Sequence, residues 1–214
     1  MKRYAHRGCY NNITIKENSM KAFQASLKSE FNGIETDLRL IKDGNIIVYH
    51  DNNLLRLHNI DKNIDSLSYK YIRSITHDII LLEDLLQLVK DNDLNIILDI
   101  KNYNYLIIET IEFYCNLFRI NKKNITLLVW NNKKQNNQFI TYLAVDNIYN
   151  IDINQIKKNN FDGICMPYKN DYNTLQQIIK IKLANLQVNV YFKRYYLRYI
   201  ESSLIKKFID KITY

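Results

Sequence analysis

Three cysteines occur in 214 residues, Cys9, Cys115 and Cys165, an odd number with no C-x-x-C pair among them. Neither a disulfide framework nor a thiolate zinc site is indicated, and a reducing compartment is the expectation. Two basic residues open the chain, but no apolar stretch follows them, so no signal peptide is read here. No uninterrupted apolar run approaches the roughly 20 residues that cross a membrane. The expected localisation is cytoplasmic, without a transmembrane segment. Proline occurs once and glycine four times. No interdomain linker and no repeat can be found. The basic residues are scattered rather than massed in one arm, so nucleic-acid binding is not expected.

What is present describes one globular unit. The chain can bury one sizeable core, and a single domain over residues 1–214 is expected. Charged residues make up 24% and hydrophobic ones 47%, the balance of a folded protein. Lys and Arg number 30 against 22 Asp and Glu, a formal net charge of +8. That favours solubility and attraction to anionic substrates or headgroups, including weak contact with a membrane surface. Nothing in the sequence sets the oligomeric state.

The stretch Gly33–Asp51, GIETDLRLIKDGNIIVYHD, organises the rest. Strand side chains alternate faces, so Glu35, Asp37 and Arg39 share one face and Ile34, Thr36 and Leu38 the other. Two carboxylates on a buried strand face are costly unless something positive holds them. A hard divalent cation is the simplest answer, because such ions take carboxylate oxygens. Lys42-Asp43-Gly44-Asn45 reads as a tight turn, and Ile46–Tyr49 returns antiparallel, bringing His50 back towards the carboxylates. The plainer reading is a pair of strand carboxylates and a hairpin histidine on a solvated face.

Elsewhere strands and helices alternate. Arg3–Arg7 reads as strand, ending in Ala5-His6-Arg7-Gly8. A helix follows, capped by Asn18 or Ser19, with Met20, Phe23, Leu27 and Phe31 as its buried stripe and Gly33 in the turn out of it. Residues 52–80 read as a polar, irregular insertion over the mouth of the domain, with His58 and His77 as surface histidines. Leu82–Val89 is helical. Asn95–Lys101 is a strand that repeats the earlier oddity, with Ile97, Asp99 and Lys101 opposite Ile96, Leu98 and Ile100. Tyr103–Ile120 reads as helix, with Leu106, Ile107, Ile111, Tyr114 and Leu117 as its core face. Further strands are expected at Ile125–Trp130, Phe139–Val145, Phe161–Met166, Gln187–Phe192 and Lys211–Tyr214. Helices are expected at Asn154–Asn159, Asn173–Leu183 and Tyr196–Ile209. This makes eight strands with one hairpin extension, and the fold class is α/β, a compact (β/α)8 TIM-type barrel. His6, Glu35, Asp37, Asp99 and Lys101 then fall at or near the C-terminal strand ends, where chemistry gathers in such barrels.

In order and spacing, Ala5-His6-Arg7-Gly8, Glu17-Asn18-Ser19, Gly33-Ile34-Glu35-Thr36-Asp37, Lys42-Asp43-Gly44, His50-Asp51 and Asp99-Ile100-Lys101 resemble the glycerophosphodiester phosphodiesterase family. Leu81-Leu82-Glu83-Asp84-Leu85-Leu86 resembles that family's stretch before its third strand. The match is dense over residues 3–101; the second half agrees mainly in its strand–helix rhythm. The resemblance implies a metal-dependent phosphodiesterase releasing glycerol 3-phosphate and an alcohol from a small-molecule glycerophosphodiester. It implies His6 and His50 as acid/base catalysts and Glu35, Asp37 and Asp99 as ligands of Mg2+ or Ca2+. Arg7 and Lys101 are implied as phosphate contacts, with Glu17 near the metal. The family's third ligand is usually Glu where Asp99 stands here. Its Trp-Thr-x-Asn-like ending of the seventh strand is replaced by Tyr191-Phe192-Lys193-Arg194, and the usual trailing segment is absent. Trp130 and Tyr168 follow strands, where they could line the mouth, and core or rim packing is the plainer reading of each. The alternatives are a lysophospholipase D-like enzyme on lysolipids and a catalytically silent barrel binding phosphate-bearing ligands.

Overall fold

The computed structural model describes residues 1–133, 138–169, 171–191 and 204–213. β1 (Lys2–His6) leads to α1 (Met20–Leu27), then to the hairpin β2 (Gly33–Leu40) and β3 (Ile46–Val48). A compact excursion follows, with β4 (Asn53–Leu54), α2 (Leu55–His58), β5 (Ile60–Asn63) and α3 (Tyr69–Ile75). Helix and strand then alternate through α4 (Leu82–Asp91), β6 (Asn95–Ile100), α5 (Tyr105–Phe118), β7 (Ile125–Val129), β8 (Ile140–Ala144) and α6 (Ile153–Lys158). They end with β9 (Gly163–Pro167), α7 (Tyr172–Leu183), β10 (Gln187–Tyr191) and β11 (Lys211–Thr213).

Among the described residues the parallel strands run β1-β11-β10-β9-β8-β7-β6-β2, and β1 pairs in parallel with β2 to close the ring. This is an eight-stranded parallel barrel wrapped by helices, as the alternation predicts. β3 hangs antiparallel on the upper half of β2, with Leu38 opposite Val48.

The two faces of each strand explain the two layers of core. On β2 and β6, Ile34, Leu38, Ile96, Leu98 and Ile100 face outward and join Phe23, Leu85 and Ile111 between barrel and helices. The alternate residues point into the barrel, where Tyr4, Ile97, Leu128, Tyr142 and Cys165 form a separate cluster. α1 starts where Ser19 Oγ accepts from the Ala22 amide at 3.2 Å, the N-cap expected of serine.

Several local expectations change. Gly33 is the first residue of β2 and not part of a helix-ending turn. A Cβ there would overlap the Asn95 carbonyl oxygen and the Tyr4 ring, so glycine is required by close packing inside the barrel. α1 stops at Leu27, leaving Phe31 outside it. On α5 the buried residues are Ile107, Ile108, Ile111 and Cys115, while Leu106 and Leu117 are exposed. The 52–80 segment is not irregular. It encloses its own small core of Leu54, Ile64, Ile72 and Ile79 against Ile47 and Tyr49 of the hairpin. Its elements are each too short to display a hydrophobic period. His58 stacks on Tyr49, with ring centroids 6.1 Å apart. Phe192, Lys193 and Arg194, and most of the helix expected at Tyr196–Ile209, lie outside the described residues. The described part of that helix, Leu204–Phe208, is a 3-10 turn.

Candidate active site

Strand register assembles the site. β1 and β2 pair with His6 opposite Glu35, and β2 and β6 pair with Asp37 opposite Asp99. Residues paired this way lie on one face about 5 Å apart. The three carboxylates are buried, and each offers an oxygen within 4.8 Å of the others. His6, Arg7, Glu35, His50, Asp99 and Lys101 line a cavity of about 560 Å³ at the C-terminal mouth of the barrel. Its far wall includes Leu128, Trp130, Cys165, Pro167, Tyr168 and Tyr191.

Each carboxylate has its own surroundings. Asp37 Oδ2 accepts from Asn18 Nδ2 at 2.8 Å and lies 3.3 Å from Arg7 Nε. Asp37 Oδ1 accepts no hydrogen bond and faces Lys101 Nζ at 3.0 Å. Burial works to raise the Asp37 pKa, but Lys101 and then Arg7 outweigh it and bring it down to about 2. Glu35 goes the other way. Burial first, then the charges of Asp37 and Asp99, push it well above the usual carboxylate range. Asp99 is also raised, chiefly by burial, although Lys101 Nζ donates to its Oδ2 at 2.6 Å. Its other oxygen accepts from Trp130 Nε1 at 2.7 Å.

This donor set fits a hard cation. It is all oxygen and buried, one member has an oxygen that accepts no hydrogen bond, and another is crowded by its acidic neighbours. A divalent ion would relieve both features.

The two histidines differ. His6 closes β1 with Nε2 3.8 Å from Glu35 Oε2, and 40% of its side chain is exposed. Burial in the cavity wall, reinforced by Arg7, lowers it to about 4, so it is neutral at neutral pH. His50 follows the hairpin. Its Nδ1 pairs with Asp51 Oδ1 at 2.6 Å, which fixes the ring and leaves Nε2 as the free nitrogen. Arg39 does not join the carboxylates. Its Nε and Nη2 donate to the His50 carbonyl at 3.0 and 2.9 Å, pinning the backbone that carries the imidazole.

Arg7 has φ 56°, a left-handed backbone uncommon for an arginine. The kink lets its amide donate to the Glu35 carbonyl at 2.8 Å while the guanidinium reaches Asp37 and Glu17. Gly8 continues the turn with φ 80°, where a Cβ would also collide with Ala22. Glu17 is held by Arg7 Nη1 at 2.8 Å, by Arg56 Nη2 at 2.6 Å and by Asn12 Nδ2 at 2.9 Å. Burial would raise Glu17, but the bonds from Arg56, Asn12 and Arg7 bring it to about 2. It therefore anchors the arginines beside the carboxylate cluster.

All eight residues singled out in the sequence meet at this end of the barrel. Four further participants were not assigned there: Asn18 on Asp37, Trp130 on Asp99, Asp51 on His50, and Arg56 bridging Glu17 and Asp51. Trp130 stands one residue beyond β7, which neighbours β6, so its place after a strand was the available signal.

Fold and site define a TIM-type barrel whose mouth holds buried carboxylates flanked by two histidines and two cations. The chain belongs to the glycerophosphoryl diester phosphodiesterase family, whose model matches residues 6–157. The Mycobacterium tuberculosis protein named "Probable glycerophosphodiester phosphodiesterase 2" is 37% identical over 101 residues, covering 45% of this chain and 37% of that one. A glycerophosphodiester phosphodiesterase of Bacillus altitudinis is 35% identical over 116 residues, covering 49% and 46%. The chain thus spans less than half the length of either curated relative. The crystal structure of a Thermotoga maritima glycerophosphodiester phosphodiesterase superposes with a TM-score of 0.81, covering 100% of this chain and 94% of that one. At 20% identity this is a likeness of fold. No helix among the described residues is long and apolar enough to cross a membrane.

Proposed function

We propose that this chain is a divalent-cation-dependent phosphodiesterase that converts glycerophosphodiesters to glycerol 3-phosphate and an alcohol. The observation that carries the reading is one cavity lined by Glu35, Asp99, a neutral histidine and a carboxylate-oriented histidine, with Asp37 buried against the first two. Glu35, Asp37 and Asp99 would hold Mg2+ or Ca2+, for which oxygen donors are suited. When bound, the cation neutralises phosphoryl charge as a Lewis acid. Arg7 and Lys101 add fixed positive charge for the anionic diester.

His6, lowered to about 4 by burial and Arg7, is free to accept a proton. His50, whose Nδ1 pairs with Asp51, is arranged to donate one from Nε2. By family analogy, the glycerol hydroxyl next to the phosphoester attacks phosphorus and gives its proton to His6. The bond to the alcohol breaks, and that oxygen takes a proton from His50. Water then opens the cyclic phosphate with the proton transfers reversed. Glu17 acts by fixing Arg7 beside Asp37.

The apolar and aromatic far wall, together with the net charge of +8, favours a second reading in which the substrate is a lysolipid, with an acyl chain on the glycerol arm of the phosphodiester. Glycerophosphocholine and lysophosphatidylcholine should be assayed with Mg2+, Ca2+ and a chelator. Cation-dependent release of glycerol 3-phosphate supports the first reading, and choline release from the lysolipid supports the second. No cation-dependent product from either overturns both and leaves a silent barrel.

A further inference from the structure

The opposite end of the barrel holds a second cavity, of about 230 Å³. Lys2, Asn95, Gln187 and Lys211, which line it, are the first residues of β1, β6, β10 and β11. Lys123, in the turn before β7, and Thr126 complete the polar wall. This places the cavity at the N-terminal ends of the strands, a full strand length from the carboxylates.

Its floor is a buried ammonium. Lys211 is only 7% exposed. Nζ donates to Thr126 Oγ1 at 2.7 Å and lies 4.7 Å from the Tyr142 ring centroid and 5.9 Å from that of Tyr4. An ammonium has three donors, and a hydroxyl satisfies one. The ring faces offer partial compensation. Among the described residues no carboxylate pairs with it. Asp210, the acid in the lining, is engaged elsewhere: Lys182 Nζ lies 3.1 and 2.9 Å from its two oxygens, and the Val188 amide donates to Oδ2 at 2.7 Å. At the rim, Lys2 and Lys123 are exposed, and Lys2 Nζ donates to Asn95 Oδ1 at 3.2 Å. Three ammonium groups therefore share one cavity with one carboxylate, and the innermost forms no direct ion pair, although the charge of Asp210 reaches it. A buried charge without a partner is costly, and an anion in the cavity would remove that cost.

We propose that this cavity is a second anion site, taking a small oxyanion of the phosphate class, with Lys211 at its floor and Lys2 and Lys123 at its rim. A tetrahedral oxyanion can accept from several donors at once, which suits an arrangement of ammonium groups on different strands. Burial, with Lys2 adding to it, lowers the Lys211 pKa to about 8, and the more distant charge of Asp210 does not offset that. Bound there, the anion would tie β1 to β11 and so brace the pairing of the first and last strands of the chain. The inference does not rest on the catalytic reading of the mouth.

The test is phosphate binding by calorimetry to the full chain at constant ionic strength. Wild type is compared with Lys2→Ala/Lys123→Ala and with Lys211→Met. Any phosphate bound at the mouth is common to all three, so their difference isolates the lower cavity. The double variant changes only exposed side chains and should fold. It should bind phosphate about tenfold or more weakly at this site, the scale of losing a charge-assisted contact. Phosphodiester turnover, if present, should be unchanged in it. Lys211→Met should lose the site. Titration with glycerol 3-phosphate then separates a phosphate monoester from the free ion as occupant. Identical phosphate isotherms in wild type and the double variant overturn the proposal, as does equal binding of chloride.

Discussion

The Trp130 indole donates from Nε1 to Asp99 Oδ1 at 2.7 Å, while Lys101 Nζ holds the other oxygen of the same carboxylate at 2.6 Å. Asp99 is thus fixed by a residue just beyond the next strand. Its orientation does not depend on its own short side chain alone. Those two bonds hold the carboxylate beside Asp37 and Glu35. Asp99→Glu should retain activity and bind the cation at least as tightly. Asp99→Ala should lose most cation-dependent turnover. Activity against cation concentration for wild type and both variants is the measurement. A match between Asp99→Ala and wild type would remove Asp99 from the ligand set.

The histidines give a graded expectation. His6→Ala and His50→Ala should each lower turnover on the order of 10²–10⁴-fold with little change in fold. Asp51→Asn should cost less than His50→Ala, because it keeps the imidazole but loses its anionic partner at 2.6 Å. Steady-state kinetics with circular dichroism as the folding control decide this. Near-normal turnover in His6→Ala would take that residue out of the mechanism.

Lys101 is a cation between two buried carboxylates, 3.0 Å from Asp37 and 2.6 Å from Asp99. Removing one partner of a buried ionic set leaves charge uncompensated and costs about 3–5 kcal/mol. Lys101→Met should therefore destabilise the cation-free protein by that amount, and added Mg2+ or Ca2+ should restore much of the loss. The same variant should bind phosphate more weakly at the mouth. Chemical denaturation with chelator and with cation tests it. A variant as stable as wild type in chelator would mean that the carboxylates take up protons without cost.

The site was legible because its chemistry is written in strand alternation. Glu35, Asp37 and Asp99 interrupt apolar strands on the inward face, and the register then brings them together. The hairpin was legible from its turn residues, and the barrel from strand–helix alternation. What escaped had no local pattern. Trp130 and Arg56 act across strands and loops, and one sequence carries no register between them and their partners. The core of the 52–80 segment is assembled from elements of two to seven residues. Gly33 was misread because close packing against Asn95 and Tyr4 is a property of the closed barrel, invisible to a turn rule.

Lys211 belongs to the same class: in the sequence it is one residue in a final stub of strand, and in the fold it is a buried ammonium facing Thr126 and two tyrosine rings. Its folded pKa, about 8, lies below the ordinary lysine value of 10.5. Below pH 8 the group is protonated in both states, and the folded state bears the full cost of the buried charge. Between pH 8 and 10.5 the folded protein releases the proton while the unfolded chain keeps it. The unfolded state then binds more protons, so stability rises with pH across that window. The gain should approach about 3 kcal/mol at the upper end, at roughly 1.4 kcal/mol per pKa unit. Buried thiols and phenols act in the opposite sense, Cys115 and Cys165 from about pH 9 and Tyr4 and Tyr142 from about pH 10, because the unfolded chain gives up those protons before the folded one does. Urea denaturation in a phosphate-free buffer from pH 7 to 9, below the range in which the thiols and phenols oppose it, should show this rise in wild type, and Lys211→Met should flatten it. A phosphate-saturated sample should flatten it too, since a bound anion returns the ammonium towards its ordinary range. Parallel pH profiles for wild type and Lys211→Met would mean that the lysine reaches water at the barrel floor and carries no buried charge.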